Sequence, residues 1–217
     1  MRTKKAVINT MTSIMAEVVS IICGLILPRL ILGAFGSSYN GITSSITQFL
    51  SCIVLLRAGV GSVTRAALYN PLSQKNKSEI SGIVNATAIF MKKIALIYVG
   101  ALIVFACVYP FLVRNAFSWV FSATLVLIIG SSTFVDNYFG IAYQMLLQAD
   151  QKNYINTIPQ IITTILNTIV AAILIHYGAG IHLVKLGSAL VYFIRPLFLS
   201  YYVKKKYEID VSICLLY

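Results

Sequence analysis

Charged residues are scarce in this sequence of 217 residues. They make up 11% of the chain, whereas an average soluble domain has about 25%. Hydrophobic residues make up 59%, and the mean hydropathy is +0.86. Because so few charges cannot cover a core with a water-facing shell, the composition excludes a disordered tail and an ordinary cytosolic enzyme. It predicts a polytopic membrane protein.

Acidic residues are the rarer of the two charged kinds. The chain has 6 Asp and Glu against 17 Lys and Arg, and its net charge is +11. In a soluble protein this excess would suggest nucleic acid binding. In a membrane protein the basic residues first indicate topology, because cytoplasmic connectors carry the excess of Lys and Arg. We therefore expect no nucleic acid partner.

The residues and motifs of common catalytic and metal sites are also missing. None of the four cysteines forms a CxxC pair, and His176 and His182 lie far from all of them in sequence. The composition described above excludes a secreted disulfide scaffold, and we interpret the cysteines as small apolar filler. The sequence has no HExxH, GxSxG, GxxxxGK[ST] or GxGxxG motif. We therefore expect neither an enzyme nor a cofactor. Because no nucleotide-binding motif is present, any transport would be passive or driven by an ion gradient.

Long apolar runs predict an all-α bundle of six transmembrane helices within residues 1–210. Glycine-rich breaks near 33–41 and 176–180 indicate tight turns between helices. The connector after the second span is the longest, and its later part, 78–93, is expected to be a helix at the interface. Residues 211–217 are predicted to be a truncated linker or tail. The predicted spans are about 6–32, 41–64, 90–113, 117–147, 154–176 and 181–203.

The basic residues give the orientation of these spans. Twelve Lys and Arg fall on the side that holds both termini and the long connector, and only Arg114 falls on the other side. The other four lie within spans. The sequence therefore predicts a multi-pass protein of the bacterial cytoplasmic (inner) membrane with both termini in the cytoplasm.

Six charged residues lie inside the predicted spans, and each costs at least ~2.5–3.5 kcal/mol at the bilayer centre. They are Glu17, Arg29, Arg57, Asp136, Lys185 and Arg195. Polar side chains recur at helical spacing beside several of them. The stripes are Ser13–Glu17–Ser20–Gly24, Ser44–Gln48–Ser51–Ala58–Ser62, Thr133–Asp136–Asn137–Gly140–Gln144, Gln160–Thr164–Asn167–Ala171 and Lys185–Ser188–Tyr192–Arg195.

Two interpretations of these stripes compete. Small and polar residues hold transmembrane helices together, and an ion pair such as Glu17 with Arg57 would also be structural. Arg29 and Lys185 lie near predicted span ends, where their side chains can reach the interface. Packing alone does not require Glu17, Asp136, Arg57 and Arg195, however. We therefore favour stripes that converge on a hydrated cavity.

Three segments carry a resemblance to a known family. They are Leu32-Gly-Ala-Phe-Gly-Ser-Ser-Tyr-Asn-Gly-Ile, Leu55-Leu-Arg-Ala-Gly-Val-Gly-Ser with Ala67-Leu-Tyr-Asn-Pro-Leu, and Tyr143-Gln-Met-Leu-Leu-Gln-Ala-Asp-Gln-Lys-Asn-Tyr-Ile. With the order of the spans, they resemble the Wzx-type polysaccharide flippases of the multidrug/oligosaccharidyl-lipid/polysaccharide exporter superfamily. Members are about twice as long, with two lobes of about six helices around a central cavity. The chain resembles the N-terminal lobe of this MATE-like architecture, and we expect a truncated product, a domain fragment or an incomplete gene.

The resemblance implies export of undecaprenyl-diphosphate-linked oligosaccharide repeat units by alternating access. A diphosphate calls for cationic partners, and Arg57 and Arg195, with Arg29 as a further candidate, are the expected substrate-binding residues. Glu17 and Asp136 are expected as counter-ions or ion-coupling residues. The implied partners are the lipid-linked substrate, membrane lipids, other polysaccharide assembly proteins, and either a missing C-terminal lobe or a second copy.

Other functions remain open at this stage. A multidrug or cation exporter of a related branch is one, although the buried charges are at least as basic as acidic. A non-transporting half-protein or scaffold in a polysaccharide assembly complex is another. A membrane glycan polymerase or transferase is a weaker alternative, because the outer loops are short and no acidic cluster is present.

Overall fold

The computed structural model describes residues 2–54, 58–114 and 116–209. Within them the chain is helical, with no strand, so the all-α prediction is confirmed for this part. The helices are α1 (Arg2–Phe35), α2 (Ser37–Val54), α3 (Ala58–Gln74), α4 (Lys77–Val113), α5 (Trp119–Val135), α6 (Ile141–Ala149), α7 (Tyr154–His176) and α8 (Ile181–Tyr207). A π-helical turn, Asp136–Gly140, joins α5 to α6 without a break.

Five helices are long and apolar enough to cross a membrane, counting only the described residues. They are Lys4–Phe35, Lys77–Val113, Trp119–Ala149, Tyr154–His176 and Ile181–Tyr207. A multi-pass membrane protein is therefore supported. The predicted span 41–64 includes residues 55–57, which lie outside the described residues, and α2 and α3 flank that gap.

The helix ends follow from local sequence. Gly36 has φ +89° between α1 and α2, and Gly178 has φ +73° between α7 and α8, a conformation that favours glycine. Asn76 caps α4, since its side chain accepts a hydrogen bond from the Glu79 N–H at 3.3 Å. α4 is then continuous for 37 residues, so the helix expected over 78–93 belongs to the same helix as the third predicted span.

The apolar contacts form two main clusters. One joins α3, α4, α6 and α8 around Leu68, Val84, Leu146 and Leu199. The second joins α2, α4 and α5 around buried residues such as Ile46. α8 packs against both α5 and α7, and α1 packs mainly against α7.

The end of α6 and the turn that joins it to α7 contact three other helices. Arg65 of α3 donates to Oε1 of Gln148 at 2.8 Å. Asn9 of α1 bridges the turn, because its Nδ2 donates to the Gln151 carbonyl and its Oδ1 accepts from the Tyr154 N–H, both at 2.9 Å. Asp150 pairs with Lys152 and accepts from the Tyr207 hydroxyl of α8. This end of the bundle is therefore held by polar contacts.

Candidate functional site

A polar cavity of about 330 Å³ lies between α1, α2, α5, α7 and α8. Eight of the twelve described residues that line it are polar. The polar lining consists of Thr47, Ser51, Ser132, Thr133, Asn167, Lys185, Ser188 and Tyr192. We call this site the polar cavity.

The polar cavity is where four of the predicted stripes meet. Ser51 comes from the stripe on α2, Thr133 from α5 and Asn167 from α7, while α8 contributes Lys185 together with Ser188 and Tyr192. The stripe on α1 is not part of the lining, to which α1 contributes only Leu27. Tertiary packing therefore brings together residues that lie more than 100 positions apart in sequence.

Asn167 is the most constrained polar residue of this site. Its side chain is 4% exposed, and its Nδ2 donates to the Tyr192 hydroxyl at 3.3 Å. Its Oδ1 is buried and has no hydrogen-bond partner among the described residues. Leaving a buried acceptor unpaired costs about 1–3 kcal/mol. Because this oxygen is shielded from water, a ligand in the cavity reaches it only if the Asn167 side chain turns toward the cavity.

The cavity hydroxyls also present acceptors. Thr47 and Ser51 donate to carbonyl oxygens of their own helix, each at 2.8 Å. Ser132 and Ser188 do the same, each at 3.1 Å. With the hydrogen used in this way, only the oxygen lone pairs remain for a ligand. Lys185 is the one charged donor among the described lining residues. A ligand with many hydroxyl groups matches this mixture, since hydroxyls both donate and accept.

Neither Arg29 nor Arg195 is among the described residues that line the polar cavity. Arg195 lies on α8 beyond Tyr192, and both its Nε and its Nη2 donate to Oδ1 of Asn156, at 3.2 and 2.9 Å. Asn156 is 3% exposed. This contact joins α7 to α8, so Arg195 has a clear packing role in the structure. Arg57 lies outside the described residues, and its predicted role stays a prediction.

The predicted residues of α1 and the π-helical turn are also separate from the cavity. Glu17 and Arg29 are exposed on α1. Asp136 opens the π-helical turn one turn beyond Thr133 and is partly buried. Their substrate and ion-coupling roles stay predictions.

None of the twelve described lining residues was predicted as a site residue, including the two on which the site's chemistry depends most, Lys185 and Asn167. Lys185 was interpreted as a side chain that reaches the interface, because it lies near a span end. Asn167 was noted only as part of a stripe. The sequence feature that could have identified Lys185 is its spacing with Ser188 and Tyr192, because this spacing places a cation on the polar face of α8.

His182 connects α8 to α5, and three of the cysteines lie among the described residues. His182 Nε2 lies 2.9 Å from the Thr124 hydroxyl and 3.1 Å from the Phe121 carbonyl oxygen, which joins α8 to α5. Cys23 is partly buried, and Cys52 and Cys107 are exposed. Among the described residues no group of three His, Cys, Asp or Glu could hold a metal ion.

No protein-family model, no curated protein and no solved structure matches this chain. The resemblance to the polysaccharide flippases therefore rests on the sequence segments named above.

Proposed function

We propose that the protein exports lipid-linked oligosaccharides across the bacterial cytoplasmic membrane, as part of a MATE-like transporter with alternating access. The observation that carries this proposal is the polar cavity among helices of membrane-spanning length. Among the described residues, its lining of acceptors with the ammonium group of Lys185 suits the hydroxyl groups of a sugar. A lipid tail needs no such lining, because it can remain in the bilayer.

The polar cavity forms only part of the proposed passage for the substrate. About 330 Å³ is at the lower end of the volumes of small-molecule sites, which are about 300–1,000 Å³. A repeat unit of several sugars needs more room than this. The proposal therefore includes a sixth span over about 41–64 and a facing lobe, supplied by a C-terminal half or by a second copy. Rocking of the two lobes would open the cavity to each side in turn.

The charged residues have separate proposed roles. Lys185 binds the saccharide within the cavity, and Arg57 binds the diphosphate, a role that rests on its sequence position alone. Arg195 keeps its contact with Asn156 and acts by holding α7 against α8. Glu17, Arg29 and Asp136 stay candidates for contacts with the facing lobe or for ion coupling.

Export of surface polysaccharide by a complemented deficient strain tests this function. The longest available reading frame is expressed with Lys185→Met, Arg57→Ala or Lys93→Met. Lys93 is exposed on α4 and does not line the polar cavity, so its variant is the matched control. We expect at least a tenfold loss of export with Lys185→Met, loss of export with Arg57→Ala, and nearly normal export with the control.

Membrane abundance of each variant is measured beside export, so that poor folding is not mistaken for lost transport. Full export by both Lys185→Met and Arg57→Ala would contradict the proposed roles. Efflux of a cationic dye without any polysaccharide phenotype would instead favour the multidrug exporter.

A further inference from the structure

A second polar pocket, of about 160 Å³, lies at the other end of the bundle from the α5–α8 contact through His182. It is formed by α4, the π-helical turn, α6 and α8, and we call it the lysine pocket. Its polar groups include Asn85 and Lys92 of α4, Tyr143 of α6, and Ser200 and Lys204 of α8. No Asp or Glu is among its described lining residues.

The two lysines of this pocket come from different helices. Lys92 Nζ lies 5.3 Å from the centre of the Tyr138 ring, a distance typical of a cation–π contact. Neither Lys92 nor Lys204 has a salt bridge to a carboxylate in the described part of the chain. Packing therefore brings two ammonium groups to one pocket without a matching negative charge.

We propose that the lysine pocket binds the phosphodiester headgroup of an anionic membrane phospholipid. Two cations with hydroxyl and amide groups match the charge and the oxygen atoms of one phosphate. The volume is about five times the ~30 Å³ share of a liquid water, which is room for a phosphate and a short ester group.

The position of the pocket selects a lipid over free phosphate. Lys92 lies close to the predicted inner start of the third span, and Lys204 lies just past the predicted inner end of the sixth. Both lysines are thus expected at the level of the cytoplasmic headgroups, where basic pockets between helices bind anionic lipids. Ile89 and Phe139 also line the pocket and are 45% and 39% exposed. An acyl chain can lie against these two side chains while the phosphate contacts the lysines.

The proposal does not depend on the transported substrate, and its test is a binding measurement. The complete chain is purified and placed in nanodiscs of zwitterionic lipid, and phosphatidylglycerol is titrated in. Bound phosphatidylglycerol is counted by native mass spectrometry after release of the protein. The double variant Lys92→Gln/Lys204→Gln is expected to bind about 30-fold more weakly, which corresponds to about 1 kcal/mol per lysine.

Three controls distinguish a specific lipid-binding site from general electrostatic attraction between the basic surface and anionic lipid. Lys93→Gln/Lys205→Gln removes the same charge from neighbouring exposed residues outside the pocket and should retain binding. Lys92→Arg/Lys204→Arg keeps the charge and should also retain it, which separates lost binding from misfolding. Inorganic phosphate at millimolar concentration should not compete.

Several results would overturn the proposal. Unchanged binding by the Lys92→Gln/Lys204→Gln variant would exclude the pocket as the site. An equal loss in the Lys93→Gln/Lys205→Gln variant would mean that only the surface charge matters. Effective competition by inorganic phosphate would show a site for the free anion instead of a lipid.

Discussion

Gly140 shows how one residue can set the distance between two membrane helices. It is buried in the π-helical turn, where a Cβ atom would lie 2.9 Å from Cβ of Pro196 in α8 and 3.0 Å from Oδ1 of Asp136. Pro196 is also buried, and its ring cannot rotate away. Small residues allow transmembrane helices to approach closely, and here the approach leaves no room for a methyl group.

We expect Gly140→Ala to destabilise the protein. Overpacking costs about 1–3 kcal/mol, and better helix propensity returns up to about 1 kcal/mol. Thermal unfolding in detergent, followed by the fluorescence of the single Trp119, should show a midpoint lower by several degrees. Gly100→Ala on α4 is the control, because nothing lies within 4 Å of its added Cβ. An unchanged midpoint for Gly140→Ala would mean that α8 can shift at no cost.

At the scale of elements, the turn between α6 and α7 joins most of the bundle. It belongs to the segment from Tyr143 to Ile155 that carries part of the family resemblance. Gln148 contacts α3, Asp150 contacts α8, and the backbone of the turn contacts Asn9 of α1. The side chain of Asp150 is 23% exposed, so these polar contacts are partly shielded from water.

Asp150→Asn should therefore weaken the contacts between α1, α8 and this turn. Hydrogen bonds to charged groups contribute about 1.5–3 kcal/mol, and the amide loses the attraction to Lys152 and Lys5. We expect a lower unfolding midpoint and faster hydrogen exchange at both ends of this turn.

Glu208→Gln is the matched control for this change. Glu208 pairs with Lys77, but both side chains are about two-thirds exposed, at 70% and 68%. The hydrogen bond from Lys77 lowers the pKa of Glu208. Because water screens such an exposed pair, this variant should unfold like the wild type. Equal effects of the two variants would contradict a special role of the turn.

At the scale of the whole molecule, the helix order defines two opposite ends. The turn after α4, around Arg114, and the turn after α7, around Tyr177, lie at one end, because α5 with α6 forms one continuous helix of membrane-spanning length. The turns at Lys75 and Gln151 lie at the other end. The excess of Lys and Arg predicts that this second end faces the cytoplasm.

Single cysteines at these four turns test the orientation in intact cells. In a background without the native cysteines, Arg114→Cys and Tyr177→Cys should react with a membrane-impermeant maleimide added outside. Lys75→Cys and Gln151→Cys should react only after the cells are permeabilised. Labelling of Lys75→Cys in intact cells would contradict the predicted topology.

The sequence by itself determined the helices and their class. Long uncharged runs can satisfy their backbone groups in a bilayer only as helices, so composition and hydropathy were sufficient to predict an all-α membrane protein. Gly36 and Gly178 marked turns for a local reason, since their positive φ favours glycine. The fourth predicted span, 117–147, agrees with α5–α6 within two residues, whereas the third, 90–113, begins 13 residues after the start of α4, because the first part of that helix is not apolar.

The site needed the tertiary structure. Sequence spacing identifies which residues share a face of one helix, but it does not show which faces of different helices meet. Arg195 and Lys185 share a stripe on α8, and only packing decided that Asn156 engages the first while the second lines the polar cavity. The unpaired Oδ1 of Asn167 depends on its neighbours in the same way. Local periodicity therefore determined the elements, and contacts between distant segments decided which polar groups are free to bind a ligand.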